Sequence, residues 1–163
     1  MNTVDLPQIN DKRVVITGGA GFVGSHLADE LVAANDGVVV DSLVTGEMEN
    51  VPAAAEFIEG DIRDRQLMSS VLDDADILFH QAAVVSVEQS VADPELTQEV
   101  NATATLQLLS LAREASVRVV FASSAAVYGH PTAVPISESE PKSATSPYGL
   151  TKLTADQYVQ LYA

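Results

Sequence analysis

The chain contains no cysteine among its 163 residues, so it can hold neither a disulfide nor a thiolate zinc site. Cations are scarce as well: eight Lys and Arg stand against 23 Asp and Glu, a formal charge of −15. That balance argues against DNA or RNA as a partner, because a phosphate backbone calls for clustered cations. Only three lysines occur, Lys12, Lys142 and Lys152, while the acids are spread along the chain instead of forming a tail. Carboxylates distributed in this way hold water in concentrated salt and point to a halophilic source. No apolar run approaches the roughly 18 residues of a membrane helix. The stretch "MNTVDLPQINDK" also lacks a basic start followed by an apolar segment. The expectation is a soluble, cytoplasmic protein with no nucleic-acid or membrane partner. His26, His80 and His130 lack ligand spacing, so no metal site is expected, and His26 and His80 read as packing or capping residues.

What the chain does have is apolar content, 47%, enough for one globular domain over residues 1–163. Five short apolar runs read as buried strands: 13–18, 37–42, 55–61, 75–83 and 117–124. Between them, Leu27, Leu31 and Ala34 mark one helical stripe, and Val100, Ala104, Leu108, Leu111 and Ala115 mark another. Buried strands alternating with amphipathic helices predict an α/β fold, a doubly wound parallel sheet of about five strands with flanking helices. The segment from Gly129 to Pro147 carries four of the seven prolines and reads as a long surface loop on the rim of a cleft. Ser146 follows as a helix N-cap with Pro147 at the first helical position. The helix they open is apolar on two sides, with Tyr148, Lys152, Ala155, Val159 and Tyr162 on one and Leu150, Thr154, Tyr158 and Leu161 on the other.

Two constellations carry chemistry. In "ITGGAGFVGSH" a strand runs into Gly18, Gly21 and Gly24 and then into a helix. A pyrophosphate reaches backbone amides only where side chains are absent, and the helix N-terminus adds aimed N–H groups. Asp41, closing "VVVD", is placed to accept hydrogen bonds from ribose hydroxyls and to repel a 2′-phosphate, which favours NAD over NADP. In "SPYGLTK", Tyr148 and Lys152 stand four apart and share a helix face. An ammonium beside a phenol favours the phenolate, giving a base near neutral pH, and Ser124 at a strand end could hold the same substrate hydroxyl.

These motifs, with "GDIRD", "LFHQAA", "SVADPELTQEVNATATLQLL" and "FASSAAVYG" in the same order, make the chain resemble the extended short-chain dehydrogenase/reductase family, specifically its NAD-dependent nucleotide-sugar epimerases of the UDP-glucose 4-epimerase type. The resemblance implies a Rossmann-like fold and NAD as cofactor. It implies Tyr148 as acid/base on the sugar hydroxyl, Lys152 on the nicotinamide ribose, and Ser124 on the reacting oxygen. Asp61 and Ile62 would border the adenine, and Ala82 and Ala83 would pass the phosphates. Gly18, Gly21, Phe22, Val23, Gly24, Asp41, Ser42 and Asn101 complete the implied cofactor set, together with Tyr148 and Lys152. Family chemistry is reversible hydride transfer at sugar C4.

Departures from the family pattern are local except one. Ala125 and Ala126 stand where 4,6-dehydratases carry Asp-Glu, which disfavours dehydration; Ser42 replaces a commoner Asn, and Ala104 a usual Gly. The larger departure is length. Family members continue with further strands and a C-terminal substrate domain, so the chain reads as a truncated epimerase, weak or inactive alone. By the same resemblance, helices over 97–115 and 147–162 would pair in a homodimer. Two other readings remain open: a noncatalytic NAD-binding module, and a related sugar-nucleotide dehydrogenase or uronate epimerase.

Overall fold

The computed structural model describes residues 8–163; residues 1–7, which make up most of "MNTVDLPQINDK", lie outside it. The five apolar runs form β1 (Arg13–Thr17), β2 (Asp36–Asp41), β3 (Glu56–Glu59), β4 (Ile77–His80) and β5 (Arg118–Phe121). All neighbours pair in parallel, in the order β3-β2-β1-β4-β5. The strands end earlier than their apolar runs, because past each strand the chain leaves the ladder to line the sheet's carboxyl edge. Strand order reverses between β1 and β4, the place where open parallel sheets hold ligands.

Central strands are apolar without alternation because both faces are covered. On one face Val15, Val38, Val40 and Leu78 pack against Met68 and Leu72 of α2 (Arg65–Leu72) and Leu108 and Leu111 of α5 (Ala104–Ala115). On the other, Val14, Ile16, Val39 and Phe79 meet Ala28, Leu27 and Leu31 of α1 (Phe22–Leu31). Full burial of one such side chain contributes about 1.5–3 kcal/mol.

The first helical stripe stops short of Ala34. α1 ends at Leu31, where the Asn35 side chain donates 2.8 Å hydrogen bonds to the carbonyls of Leu31 and Ile9. α2 opens on Asp64, whose carboxylate accepts from the N–H groups of Gln66 and Leu67. The stretch read as one helix over 97–115 is instead α4 (Pro94–Gln98), a wider π-helical turn (Glu99–Thr103), and then α5; a short α3 (Val87–Ala92) precedes them. α6 (Pro147–Tyr162) starts as expected, with Ser146 Oγ accepting from the Gly149 N–H at 3.0 Å. It packs against α3, α4, the π turn and α5. The 129–147 loop folds back on itself: Gly129 has φ +63° and lies against the Ser143 carbonyl. Lys142 then ties the loop to Asp156 of α6 at 2.7 Å.

Leu108→Ala, at a position 1% exposed, is expected to lower unfolding free energy by about 2–5 kcal/mol in concentrated salt. Val44→Ala, at one 81% exposed, should stay within about 0.5 kcal/mol. Urea titration of both variants checks the contrast.

Candidate functional site

Every strand delivers its last residue to one edge. The Gly18 N–H donates to the Val40 carbonyl at 2.8 Å and the Gln81 N–H to that of Thr17 at 3.0 Å, so the ends of β2, β1 and β4 stay in register there. Gly18 has φ +71°, and a Cβ on it would stand 2.6 Å from the Ala82 nitrogen. Only glycine lets the backbones of 18 and 82 meet. A Cβ on Gly24 would overlap the Gly18 carbonyl oxygen. Gly21 differs: a Cβ there meets only that oxygen, at 3.3 Å, so protein packing alone does not demand a glycine. Its vacant side fits a group that must approach the backbone from outside.

α1 begins at this point with no side-chain cap and no acid in its first turn. The N–H groups of Phe22, Val23 and Gly24 therefore sit at the positive end of the helix dipole, an anion-binding arrangement. The side chains of Phe22 and Val23 are exposed. Opposite them, Asp41 is buried and oriented: one carboxylate oxygen accepts from the Ala20 N–H at 3.0 Å, the other from the Leu43 N–H at 2.9 Å. Each oxygen keeps a further acceptor position, which suits a vicinal diol. The Ala20 carbonyl in turn accepts from the Glu47 N–H and the Asn50 side chain, bracing that sequence reading had missed. Ser42 beside Asp41 is exposed.

At the end of β3, Asp61 binds Arg63 through backbone and side chain, at distances down to 2.6 Å, and Arg63 bridges on to Glu99 at 3.3 Å. Hydrogen bonding from the Arg63 side chain holds Asp61 below the ordinary carboxylate range. Ile62 turns its side chain into the core, which limits it to backbone contact with any ligand. Beyond β4, Ala82 and Ala83 form an apolar wall. Asn101 fixes that wall, its side-chain oxygen accepting from the Val84 N–H at 2.8 Å and its amide donating to the Val84 carbonyl at 2.9 Å and to Thr151 Oγ1 at 3.3 Å. Asn101, one of the implied cofactor residues, thus also ties the loop after β4 to α6.

Ser124 caps the 3-10 turn Ala125–Tyr128, its Oγ accepting from the Ala126 N–H at 3.2 Å with its own hydrogen free to donate. The first turn of α6 docks on this turn so closely that a Cβ on Gly149 would lie 2.7 Å from the Ala126 carbonyl oxygen. Tyr148 and Lys152, one turn apart on α6, are thereby brought to the Ser124 side of the edge. Lys152 is buried, its Nζ 4.2 Å above the Phe121 ring centre, and burial pushes its pKa down to about 8. It is thus still largely protonated at pH 7. His80, 2% exposed beneath this pair, is held near pKa 3 by burial and then by the Lys152 charge. His26 Nδ1 lies 2.7 Å from the Phe22 carbonyl oxygen, as a residue serving its own helix would. Among the described residues no group of three or more His, Asp or Glu is placed to hold a metal ion, and no helix is long and apolar enough to cross a membrane.

The sequence over residues 14–163 matches the model of the NAD dependent epimerase/dehydratase family. The UDP-glucose 4-epimerase of Streptomyces lividans is 45% identical over 152 residues, which make up 90% of this chain and 46% of that one. Among solved structures, Thermotoga maritima UDP-glucose 4-epimerase with UDP-glucose superposes with TM-score 0.89 at 34% identity, over 93% of this chain and 51% of that one. UDP-glucose 4-epimerase from Brucella ovis in complex with NAD gives 0.88 at 37% identity, over 93% and 48%. The chain spans about half the length of the curated relatives it matches.

Because folding lowers the Lys152 pKa from 10.5 to about 8, the unfolded chain binds more protons between those values, and stability should rise with pH across that window. Lys152→Met should therefore be more stable than the parent below pH 8, by on the order of 3 kcal/mol, with the gap closing toward pH 10.5. Denaturation curves of ligand-free protein at pH 7 and 10 test this; an equal gap at both would refute it.

Proposed function

Since the chain belongs to the NAD dependent epimerase/dehydratase family, we propose that it is the NAD-binding domain of a nucleotide-sugar epimerase acting on a UDP-hexose, with Ser124, Tyr148 and Lys152 as its reacting set. One observation carries the reading: the open glycine turn with Asp41 and the buried Lys152 beside Tyr148 lie along the same sheet edge. Bound NAD would supply a hydride acceptor for sugar C4. Gly21 and the N–H groups of Phe22 and Val23 hold the pyrophosphate, and the carboxylate of Asp41 accepts from the adenosine ribose and repels a 2′-phosphate. Ser124 donates to the sugar oxygen. Tyr148, one turn before Lys152 on α6, exchanges the hydroxyl proton. Ala125 and Ala126, following Ser124, carry no exchangeable side-chain proton, which disfavours loss of water.

Remote parts of the sugar nucleotide orient the reacting carbon in such enzymes. With about half the relatives' length present, that grip is incomplete within these residues, and turnover by them alone is weak. The same observation favours a second reading, a noncatalytic NAD-binding module. Leu150 and Leu161 lie exposed along α6, and this face with α5 is where a second copy would pair. The acidic surface fits a halophilic cytoplasm.

In concentrated KCl, NAD at about 100 times its dissociation constant should stabilise the fold by about 2.7 kcal/mol, read as a raised unfolding midpoint, with NADP giving far less. Asp41→Asn should shrink that preference and Gly21→Val abolish the rise. No NAD response in protein shown free of prior nucleotide would sink the reading, whereas a response without conversion of UDP-glucose would favour the noncatalytic module. The ligand-free midpoint should fall in dilute buffer. Sedimentation at micromolar concentration in the same salt should give a dimer mass; a monomer removes the pairing claim.

A further inference from the structure

Behind the reactive face runs a buried polar chain that none of these roles uses. Thr17 Oγ1 lies 2.7 Å from His80 Nδ1, and His80 Nε2 lies 2.9 Å from Thr105 Oγ1. Thr105 commits its one hydroxyl hydrogen to the Asn101 carbonyl at 2.7 Å. It must therefore accept from His80 Nε2–H, which leaves Nδ1 bare to accept from Thr17. None of the four residues is more than 2% exposed. The chain has meaningful ends. Thr17 precedes Gly18 of the phosphate turn, and Asn101 reaches Val84 of the cofactor wall and Thr151, the neighbour of Lys152. A second route leaves the imidazole sideways: its ring centre is 5.7 Å from that of Phe121, the seat of the Lys152 ammonium.

We propose that His80 is a positioning residue, a neutral imidazole that fixes Lys152 relative to the glycine turn through Thr105, Asn101 and Thr151 on one side and Phe121 on the other. The proposal rests on the reading of Tyr148 and Lys152 as the reactive pair. A neutral ring suits the role because its one donor and one acceptor are both already matched. With its pKa near 3, His80 keeps that pattern throughout the range in which Lys152 titrates. Among the described residues, His80 from β4 is the titratable group coupled to Lys152 through space, and Tyr148 stands one turn before it on its own helix. Asp156, one turn on, is engaged by Lys142, and burial alone accounts for the lowered Lys152 pKa.

Because residues 1–163 hold only three lysines, this 163-residue chain grown with 13C-lysine should give three resolvable Cε signals, with Lys152→Met assigning one of them. In the parent that signal should titrate near 8. Thr105→Val strands the His80 donor and cuts the tie to Asn101; it should move the Lys152 midpoint up by about one pH unit, toward the ordinary lysine value. Thr105→Ser should restore it. Thr17→Val, acting at the other ring nitrogen, should shift it the same way and serves if Thr105→Val does not fold. A valine variant that folds, loses stability and leaves the Lys152 midpoint in place would reduce His80 to core packing. The titration is read without nucleotide, so failure of NAD binding in the parent would count against the functional reading and leave this result standing on its own.

Discussion

The backbones of Gly18 and Ala82 touch where the strand order reverses, and the rest of the site is arranged around that contact. It sets how far apart the two halves of the sheet can open at their carboxyl edge. On one side the chain climbs through Gly21 into the uncapped start of α1; on the other it runs along Ala82 and Ala83 to the Val84 clamp. A side chain at 18 would force the ends of β1 and β4 apart and carry both walls with it. Gly24 serves the same closeness from within the helix, by letting α1 start directly against the Gly18 carbonyl.

Polar groups are used in opposite ways inside and outside. Outside, Arg13 meets Asp36, Glu56 and Asp74, all well exposed, and such pairs individually contribute little. Concentrated salt, with screening lengths of about 3 Å at 1 M, weakens them further. The two apolar layers supply the stability. Inside, hydroxyls, one amide and one imidazole are matched donor to acceptor around a single ammonium. The unfolded chain takes up a proton at His80 that the folded chain resists. Stability therefore declines as pH falls from about 6.5 toward about 3, the window between the two His80 values.

Strands and glycine turn were legible in the sequence because each depends on local facts: unbroken runs such as Val38 to Val40, a glycine triplet, an acid at a strand end. The opening of α6 was legible for the same reason, since Ser146 and Pro147 speak only of their own helix. What could not be read were partnerships made across the fold. The part Asn101 plays in holding the loop after β4 shows only once Val84 is brought against its amide. Thr17, Thr105 and Thr151 are small polar residues in apolar company, and their meaning depends on His80 and Asn101 arriving from elsewhere. A threonine four residues after Asn101, deep in an apolar helix, was the one hint available. Ala34 misled for a simpler reason: an apolar residue in phase says nothing of where a helix stops, and Asn35 decides that by capturing the Leu31 carbonyl.

The π turn at Glu99–Thr103 has an evolutionary consequence. It holds one residue more than a turn of the regular helix it interrupts, and the wider turn absorbs that residue while α4 and α5 on either side stay helical. Removing a single residue there would rewind it to ordinary α geometry and take Asn101 out of the wide turn that presents its amide to Val84. Point substitutions along this segment perturb one contact each, but a one-residue deletion dismantles the wall and its link to α6 together. Lineages carrying this fold should therefore drift in composition here while keeping their residue count.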